Sequence, residues 1–171
     1  MTPMTNTTHT CKSALSIDWE DFAQLYHKHY FGSLSKPDHY AIERQTDIIL
    51  ELFSEFNISS TFFAMASLAR SIPNLIRKIS NLGHEVALHS LNHDFLYQLS
   101  LEEALHETTQ AKSILEDIIQ TPVYGYRAPY FSIIKRNLSF LSGLASAGFL
   151  YDSSIFPIKM PHYGISNFPK E

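Results

Sequence analysis

The chain has 171 residues, 44% hydrophobic and 18% charged, which is the composition of one globular domain with a core large enough to be stable by itself. A net charge of −4 at pH 7, without basic clusters, argues against nucleic acid and anionic membranes as partners. The single cysteine, Cys11, excludes an intramolecular disulfide.

The first 13 residues, MTPMTNTTHTCKS, read as a polar leader without the apolar run of a signal peptide. Later segments do not approach the roughly 20 apolar residues that cross a membrane. We therefore expect a cytoplasmic protein with no membrane span, whose one folded domain covers residues 14–171.

Strands and helices are predicted to alternate along the rest of the chain. The first strand is ALSID (14–18), and the polar and aromatic segment from Trp19 to about His39 is predicted as a long loop. Apolar residues at helical spacing predict helices over 40–56, from Pro73 to before Gly83, over 100–120 and over about 135–147. The intervening strands are SSTFFAM (59–65), HEVALH (84–89), VYGYRAP (123–129) and FLYDSS (149–154).

This alternation predicts an α/β protein with parallel strands joined by right-handed crossovers. In such folds the ligand crevice lies outside the carboxyl ends of the strands, whether the sheet is open or closed into a barrel. The unusual polar motifs of this chain all follow predicted strands, and we therefore expect them to meet in space.

Two histidines follow the third predicted strand, in the motif HSLNH. If the residues after His89 turn helically, His93 lies one turn further on the same side, and the two imidazoles can share a divalent metal such as zinc. A histidine pair with this spacing is, taken alone, more often structural than metal-binding.

Three acids gather at the end of the first strand, in the motif SIDWED. Alternation along a strand puts Asp18 and Glu20 on one face, while Asp21 begins the loop. One carboxylate and two histidines can hold a metal with positions left for water and a substrate oxygen, and a second carboxylate can accept the proton of that water. A solvated acidic turn is the alternative for this motif by itself.

Arg127 ends a strand that should be buried, so its charge needs a carboxylate partner. Asp18 is the natural candidate, and the guanidinium would orient it; an ordinary structural ion pair is the alternative. Asp152, at the end of the last strand, can hold Arg127 or cap the next turn, and we favour the first. His27 and His29 in the predicted loop are given no role beyond the rim of a substrate site.

The motifs SIDWED, HSLNH, RAPY and YDSSIFP, in this order, resemble those of the NodB-type polysaccharide deacetylases, carbohydrate esterase family four. The similarity runs from about Ala14 to the C-terminus and is greatest to the branch found in exopolysaccharide biosynthesis clusters. It implies a distorted, incomplete (β/α) barrel with a divalent metal, usually zinc. It also implies that the reaction is hydrolysis of N-acetyl groups on an amino-sugar-containing glycan or its precursor.

The resemblance also implies roles for single residues. Asp18 matches the catalytic base of the family, His89 and His93 match its metal-binding histidines, and Arg127 matches the arginine that orients the base. The backbone N–H of Tyr130 matches the donor that helps to bind the oxyanion formed when water attacks the acetamide.

One departure from the family pattern concerns the metal ligand. The family has two adjacent aspartates, of which the second binds the metal, whereas here Trp19 follows Asp18. The ligand must then be Glu20 or Asp21, and strand alternation favours Glu20 because it points the same way as Asp18.

The other departure concerns the general acid. The later leucine-x-histidine motif of the family is missing, and His162, in MPHYG, is the only histidine after Arg127 and does not match it. We therefore expect a C-terminally shortened member of the family. Two alternatives stay open: a remnant that binds metal or glycan without turnover, and a hydrolase of another C–N bond such as that of a cyclic amide.

Overall fold

The computed structural model describes residues 13–161 and 163–169. Most of the polar leader, with Cys11, and also His162 lie outside the described residues. Within the described ranges, no helix is both long and apolar enough to cross a membrane.

Parallel strands form the centre of the fold. They are β1 (Ser16–Trp19), β2 (Thr61–Ala64), β3 (Glu85–Leu88), β4 (Gly125–Tyr126) and β5 (Tyr151–Asp152), arranged in the order β1-β2-β3-β4-β5 in one sheet. Over the described residues β1 and β5 are its edges, so the sheet is open and the barrel is not closed. The predicted α/β class with parallel pairing is confirmed, and each observed strand is shorter than the sequence segment predicted to form it.

Helices cover the sheet between successive strands. Those of the described chain are α1 (Phe22–Phe31), α2 (His39–Glu55), α3 (Ala66–Ser71), α4 (Pro73–Asn81), α5 (Leu101–Ile119) and α6 (Phe140–Ser146). The predicted α2, α4 and α5 are confirmed. The last predicted helix is shorter than expected, because residues 135–137 form a separate turn of 3-10 helix.

The segment predicted as a long loop contains a helix, α1, so that prediction is wrong over residues 22–31. Asp21 caps this helix by accepting a hydrogen bond from Ala23 N (2.8 Å), and Gly32 ends it at a positive φ of 77°. Four of its ten residues are Phe or Tyr, which are weak helix formers, so the aromatic content of this segment concealed the helix.

The core lies between the sheet and the helices. Strands β2 and β3 are buried on both faces, which explains why their sequences, TFFA and EVAL, lack polar alternation. Trp19, the single tryptophan of the chain, is only 4% exposed and donates its indole N–H to Thr46 of α2 at 2.9 Å. This contact fixes the end of β1 against α2, directly beside the acids of SIDWED.

Candidate active site

The carboxyl ends of β1, β3 and β4 open into one cleft of about 500 Å³. Its walls are formed by acidic, imidazole and aromatic side chains and one leucine, namely Asp18, Glu20, Phe22, Leu25, Tyr26, His29, Tyr30, His89, His93, Tyr130 and Phe131. The predicted meeting of the polar motifs at this edge of the sheet is therefore observed.

Three of these side chains form a compact cluster at the base of the cleft. Glu20 Oε2 lies 2.8 Å from His93 Nε2 and 3.4 Å from His89 Nε2. The carboxylate oxygen is buried, yet it has no partner in the described part of the chain with the geometry of a hydrogen bond. The three ligand atoms thus converge on one another rather than being paired with other groups.

The protonation of this cluster suits a divalent metal. His89 Nδ1 lies 2.8 Å from the carbonyl oxygen of Arg127, which can only accept, so Nδ1 donates to it and Nε2 is the ring nitrogen that faces the cluster. Burial raises the pKa of Glu20, but His89 and His93 outweigh burial and lower it to about 2, so the carboxylate is ionised. The ligand atoms of these two imidazoles and one carboxylate lie within 4.8 Å of one another, and this donor set fits a divalent metal.

His93 reaches the cluster through a tight turn rather than a helix. Ser90 and His93 both have positive φ, 67° and 62°, and His93 N donates to Ser90 Oγ at 2.9 Å. The helical turn that was the condition for this pairing does not form, yet the two rings do meet, 5.1 Å apart between centroids. Left-handed backbone at non-glycine residues costs about 1–2 kcal/mol each and often occurs at functional sites.

Arg127 binds Asp18, as the sequence predicts. Its Nη1 donates to Asp18 Oδ1 at 2.6 Å, and its Nη2 donates to Ser16 Oγ and Ser153 Oγ at 3.0 and 2.9 Å. The guanidinium also lies 4.0 Å from the ring centroid of Phe63. Four contacts of this kind fix the guanidinium and, through it, the orientation of one carboxylate oxygen.

Asp152 does not form the predicted ion pair with Arg127 in the described structure. Its Oδ1 and Oδ2 accept hydrogen bonds from Ser154 Oγ (2.6 Å) and Ser154 N (3.0 Å). Burial raises the pKa of Asp152, while the bonds from Ser154 oppose the rise. The residue therefore caps the turn after β5, and Ser153 contacts Arg127 in its place.

Asp21 lies apart from the imidazole cluster. It is 4% exposed, and its two oxygens accept hydrogen bonds from Ala23 N at 2.8 Å and Asp38 N at 3.0 Å. Asp21 thus joins the start of α1 to the start of α2, with both oxygens engaged by backbone.

Tyr130 forms the wall of the cleft next to His93. It has a φ of 54° in the turn Pro129–Phe131, and its ring stacks on Phe95 at 4.0 Å and meets His93 edge-on at 4.5 Å. The backbone N–H of Tyr130 makes no hydrogen bond to a residue that the structure describes.

Some residues of the site escaped the sequence reasoning. Lys28 of α1 donates to Asn92 O and Asp94 Oδ1, both at 2.6 Å, and so ties α1 to the residues on either side of His93. No sequence signal marks such a contact across 64 to 66 residues. Of the two histidines considered for the rim of a substrate site, His29 lines the cleft and His27 does not.

The fold and the site together define an α/β protein in which one carboxylate and two imidazoles meet at the carboxyl ends of parallel strands. A family model described as polysaccharide deacetylase matches residues 37–150, and the chain belongs to this family.

Individual relatives agree with the family. A peptidoglycan-N-acetylglucosamine deacetylase of Bacillus cereus is 27% identical over 93 residues, which are 54% of this chain and 34% of that protein. A chitooligosaccharide deacetylase of Sinorhizobium fredii is 30% identical over 86 residues, 50% of this chain and 40% of that protein. The matched parts thus cover only about a third to two fifths of these relatives.

Solved structures share the fold. A crystal structure of a Mycobacterium smegmatis protein assigned to the polysaccharide deacetylases superposes with a TM-score of 0.69 at 26% identity, over 84% of this chain and 50% of that one. A pseudoenzyme of carbohydrate esterase family four from Bacillus anthracis has a TM-score of 0.55 at 19% identity, over 58% of this chain and 36% of that one. The second likeness concerns the fold alone.

Proposed function

We propose that this chain is a metal-dependent hydrolase that removes N-acetyl groups from an amino-sugar-containing polysaccharide or its precursor. The observation that carries the proposal is the cluster of Glu20, His89 and His93 beside Asp18 in one open cleft. Relatives named for the deacetylation of peptidoglycan N-acetylglucosamine and of chitooligosaccharides support an N-acetylated glycan as the substrate. The resemblance of the sequence motifs to the exopolysaccharide branch is the ground on which we propose an exopolysaccharide, and the cytoplasmic location stays a prediction.

Glu20, His89 and His93 would hold the metal, and zinc is the ion that their two nitrogens and one oxygen suit. Glu20 is preferred over Asp21 because its oxygen already lies between the two imidazoles, whereas both oxygens of Asp21 accept backbone hydrogen bonds. When bound, the metal would supply Lewis acidity to the acetamide carbonyl.

Asp18 would act as the general base. Arg127 holds its Oδ1, while its Oδ2 faces the cluster at 4.0 Å from His89 Nε2. The side chain is 32% exposed, so water can reach the oxygen that Arg127 leaves unbound. That oxygen can take a proton from a water molecule as it attacks the acetyl carbon. When the C–N bond then breaks, the same proton can pass to the leaving nitrogen, so that acetate and the free amine are the products.

Tyr130 would stabilise the oxyanion through its backbone N–H, which is free of other acceptors in the described structure. The stacked Phe95 and the edge-on His93 hold its ring, so the donor is positioned before the substrate arrives. Arg127 stays a positioning residue, because it contacts Asp18 rather than the substrate.

The proposal is tested by measuring zinc per chain and acetate release together. Mass spectrometry of the zinc-loaded parent should find about one equivalent, which is lost in His89→Ala/His93→Ala. A matched control, His27→Ala/His106→Ala, removes two histidines outside the cluster and should keep the zinc. Acetate release from N-acetylated chito-oligosaccharides and peptidoglycan should stop with a chelator and in Asp18→Asn.

Each alternative gives a different result in this experiment. Zinc bound without acetate from any glycan would favour the remnant that binds but does not turn over. Hydrolysis of cyclic amides without acetate release would favour the other C–N hydrolase. Unchanged acetate release by Asp18→Asn would refute the assigned base.

A further inference from the structure

Helix α1 carries a row of exposed aromatic rings on one side. Phe22, Tyr26 and Tyr30 are spaced by four residues, so their side chains follow one another along the helix, and they are here called the aromatic stripe. They are 81%, 54% and 63% exposed. Neighbouring ring centroids in the stripe are 6.4 and 4.6 Å apart.

The opposite side of α1 fastens the helix to the rest of the domain. Asp21 is buried at the N-cap, Gln24 is buried and donates to Ser35 O at 2.6 Å, and Lys28 donates to Asn92 O at 2.6 Å. These three anchors are spaced by three and four residues and therefore share one side of the helix. The exposed stripe is thus held in place, and it does not bury itself against the core.

The stripe continues into the cleft that contains the imidazole cluster. All three of its rings line this cleft together with His29, and Tyr130 lines it from the chain segment after β4. Eight residues of helix rise by about 12 Å, so the stripe is longer than a single sugar ring. A small molecule bound at the cluster would leave most of the stripe unused.

The chemistry of the stripe suits sugar rings. A pyranose has faces of C–H groups, which pack on aromatic rings, and an edge of hydroxyl groups, which need polar partners. Tyrosine presents an apolar ring with a polar tip, and His29 adds ring nitrogens on the same side of the helix. A purely apolar occupant would leave these polar groups without partners.

We propose that the aromatic stripe binds consecutive sugar rings of a linear glycan whose N-acetylated residue lies at the Glu20, His89 and His93 cluster. The substrate class is then an oligomer or polymer rather than a free amino sugar. The position of the reacting sugar rests on the proposed function, whereas the binding of the chain along α1 does not require turnover.

Calorimetric titration of the zinc-loaded protein with N-acetylglucosamine and with its β-1,4-linked tetramer tests this inference. The tetramer should bind at least about tenfold more tightly than the monomer, and Tyr26→Ala should weaken tetramer binding by about tenfold, with a larger loss in Tyr26→Ala/Tyr30→Ala. Tyr26→Phe should retain most of the affinity, since the ring remains. The matched control is Phe31→Ala, which removes a 69% exposed ring of the same helix that does not line the cleft, and it should bind the tetramer like the parent.

Equal affinity for monomer and tetramer, or tetramer binding unchanged in Tyr26→Ala/Tyr30→Ala, would overturn the inference. An equal loss in Phe31→Ala would also overturn it, because the effect would then not belong to the stripe. Circular dichroism and the zinc content of each variant separate a local loss from misfolding. If tetramer binding depends on the stripe but no acetate is released, this inference stands and the proposed function fails. If acetate is released at a rate that depends neither on chain length nor on the stripe, the proposed function stands and this inference fails.

Discussion

Replacement of Arg127 by methionine should destabilise the fold and remove the hydrogen bond that orients the Asp18 carboxylate. Methionine keeps much of the apolar stem of arginine but removes the donors to Asp18 and to the hydroxyls of Ser16 and Ser153, at 2.6, 3.0 and 2.9 Å. It also removes the charge stacked on Phe63.

The expected cost follows from these contacts. A hydrogen bond involving a charged group is worth about 1.5–3 kcal/mol, and loss of one partner of a buried pair costs about 3–5 kcal/mol. Because the Asp18 side chain is 32% exposed, water can replace part of what the carboxylate loses. We therefore expect Arg127→Met to lower the free energy of unfolding by about 2–4 kcal/mol.

A double-mutant cycle isolates the pair. Urea unfolding of the parent, Asp18→Asn, Arg127→Met and the double variant would be followed by far-ultraviolet circular dichroism, with a chelator present so that metal binding adds no stability. The coupling energy between the two sites should be about 1–2 kcal/mol. A coupling below about 0.5 kcal/mol would mean that the guanidinium and the carboxylate do not interact in solution, and the assignment of Arg127 as the positioning residue would fail.

Three further outcomes are expected. Ser100→Ala removes the cap of α5 and should lower the free energy of unfolding by about 1 kcal/mol in urea, and an unchanged midpoint would contradict the cap. Burial lowers the pKa of His84 from 6.5, so the unfolded chain binds a proton more readily than the folded chain does. The free energy of unfolding should therefore fall as the pH drops below about 6.5, and it should fall less steeply in His84→Gln. Lys28→Met frees the turn that carries His93 and should weaken zinc binding by about tenfold in competition with a chelating dye, whereas Lys78→Met, which breaks an exposed ion pair on α2 and α4, should not.

The parts of the fold that the sequence predicts are those set by local pattern. After their first residues, Thr61 and Glu85, β2 and β3 are buried and apolar, and the capping box of Ser100 and Glu103 marks the start of α5. The alternation that puts Asp18 and Glu20 on one face also holds, since both side chains line the cleft. A sheet of parallel strands then brings their ends together without further information.

The parts that escaped prediction depend on tertiary context. The positive φ of His93 and Tyr130 is imposed on residues that rarely adopt it, so no composition rule points to either turn. Helix α1 was missed because its aromatic residues are weak helix formers and leave it without the apolar periodicity of a buried face, whereas its anchors, such as the contacts of Lys28, are tertiary. Asp152 and Ser153 are adjacent, and the sequence alone does not show that Ser153 contacts Arg127 while Asp152 accepts from Ser154.

Trp19 gives this protein a native fluorophore in the middle of its candidate site. It is the single tryptophan, and it stands between Asp18 and Glu20 in the chain, with its indole buried against Thr46. Its emission therefore reports on one known strand end, without the averaging that several tryptophans bring. Release of β1 from α2 exposes this indole to water and shifts its emission to longer wavelength, so the integrity of the site can be followed optically and without a label.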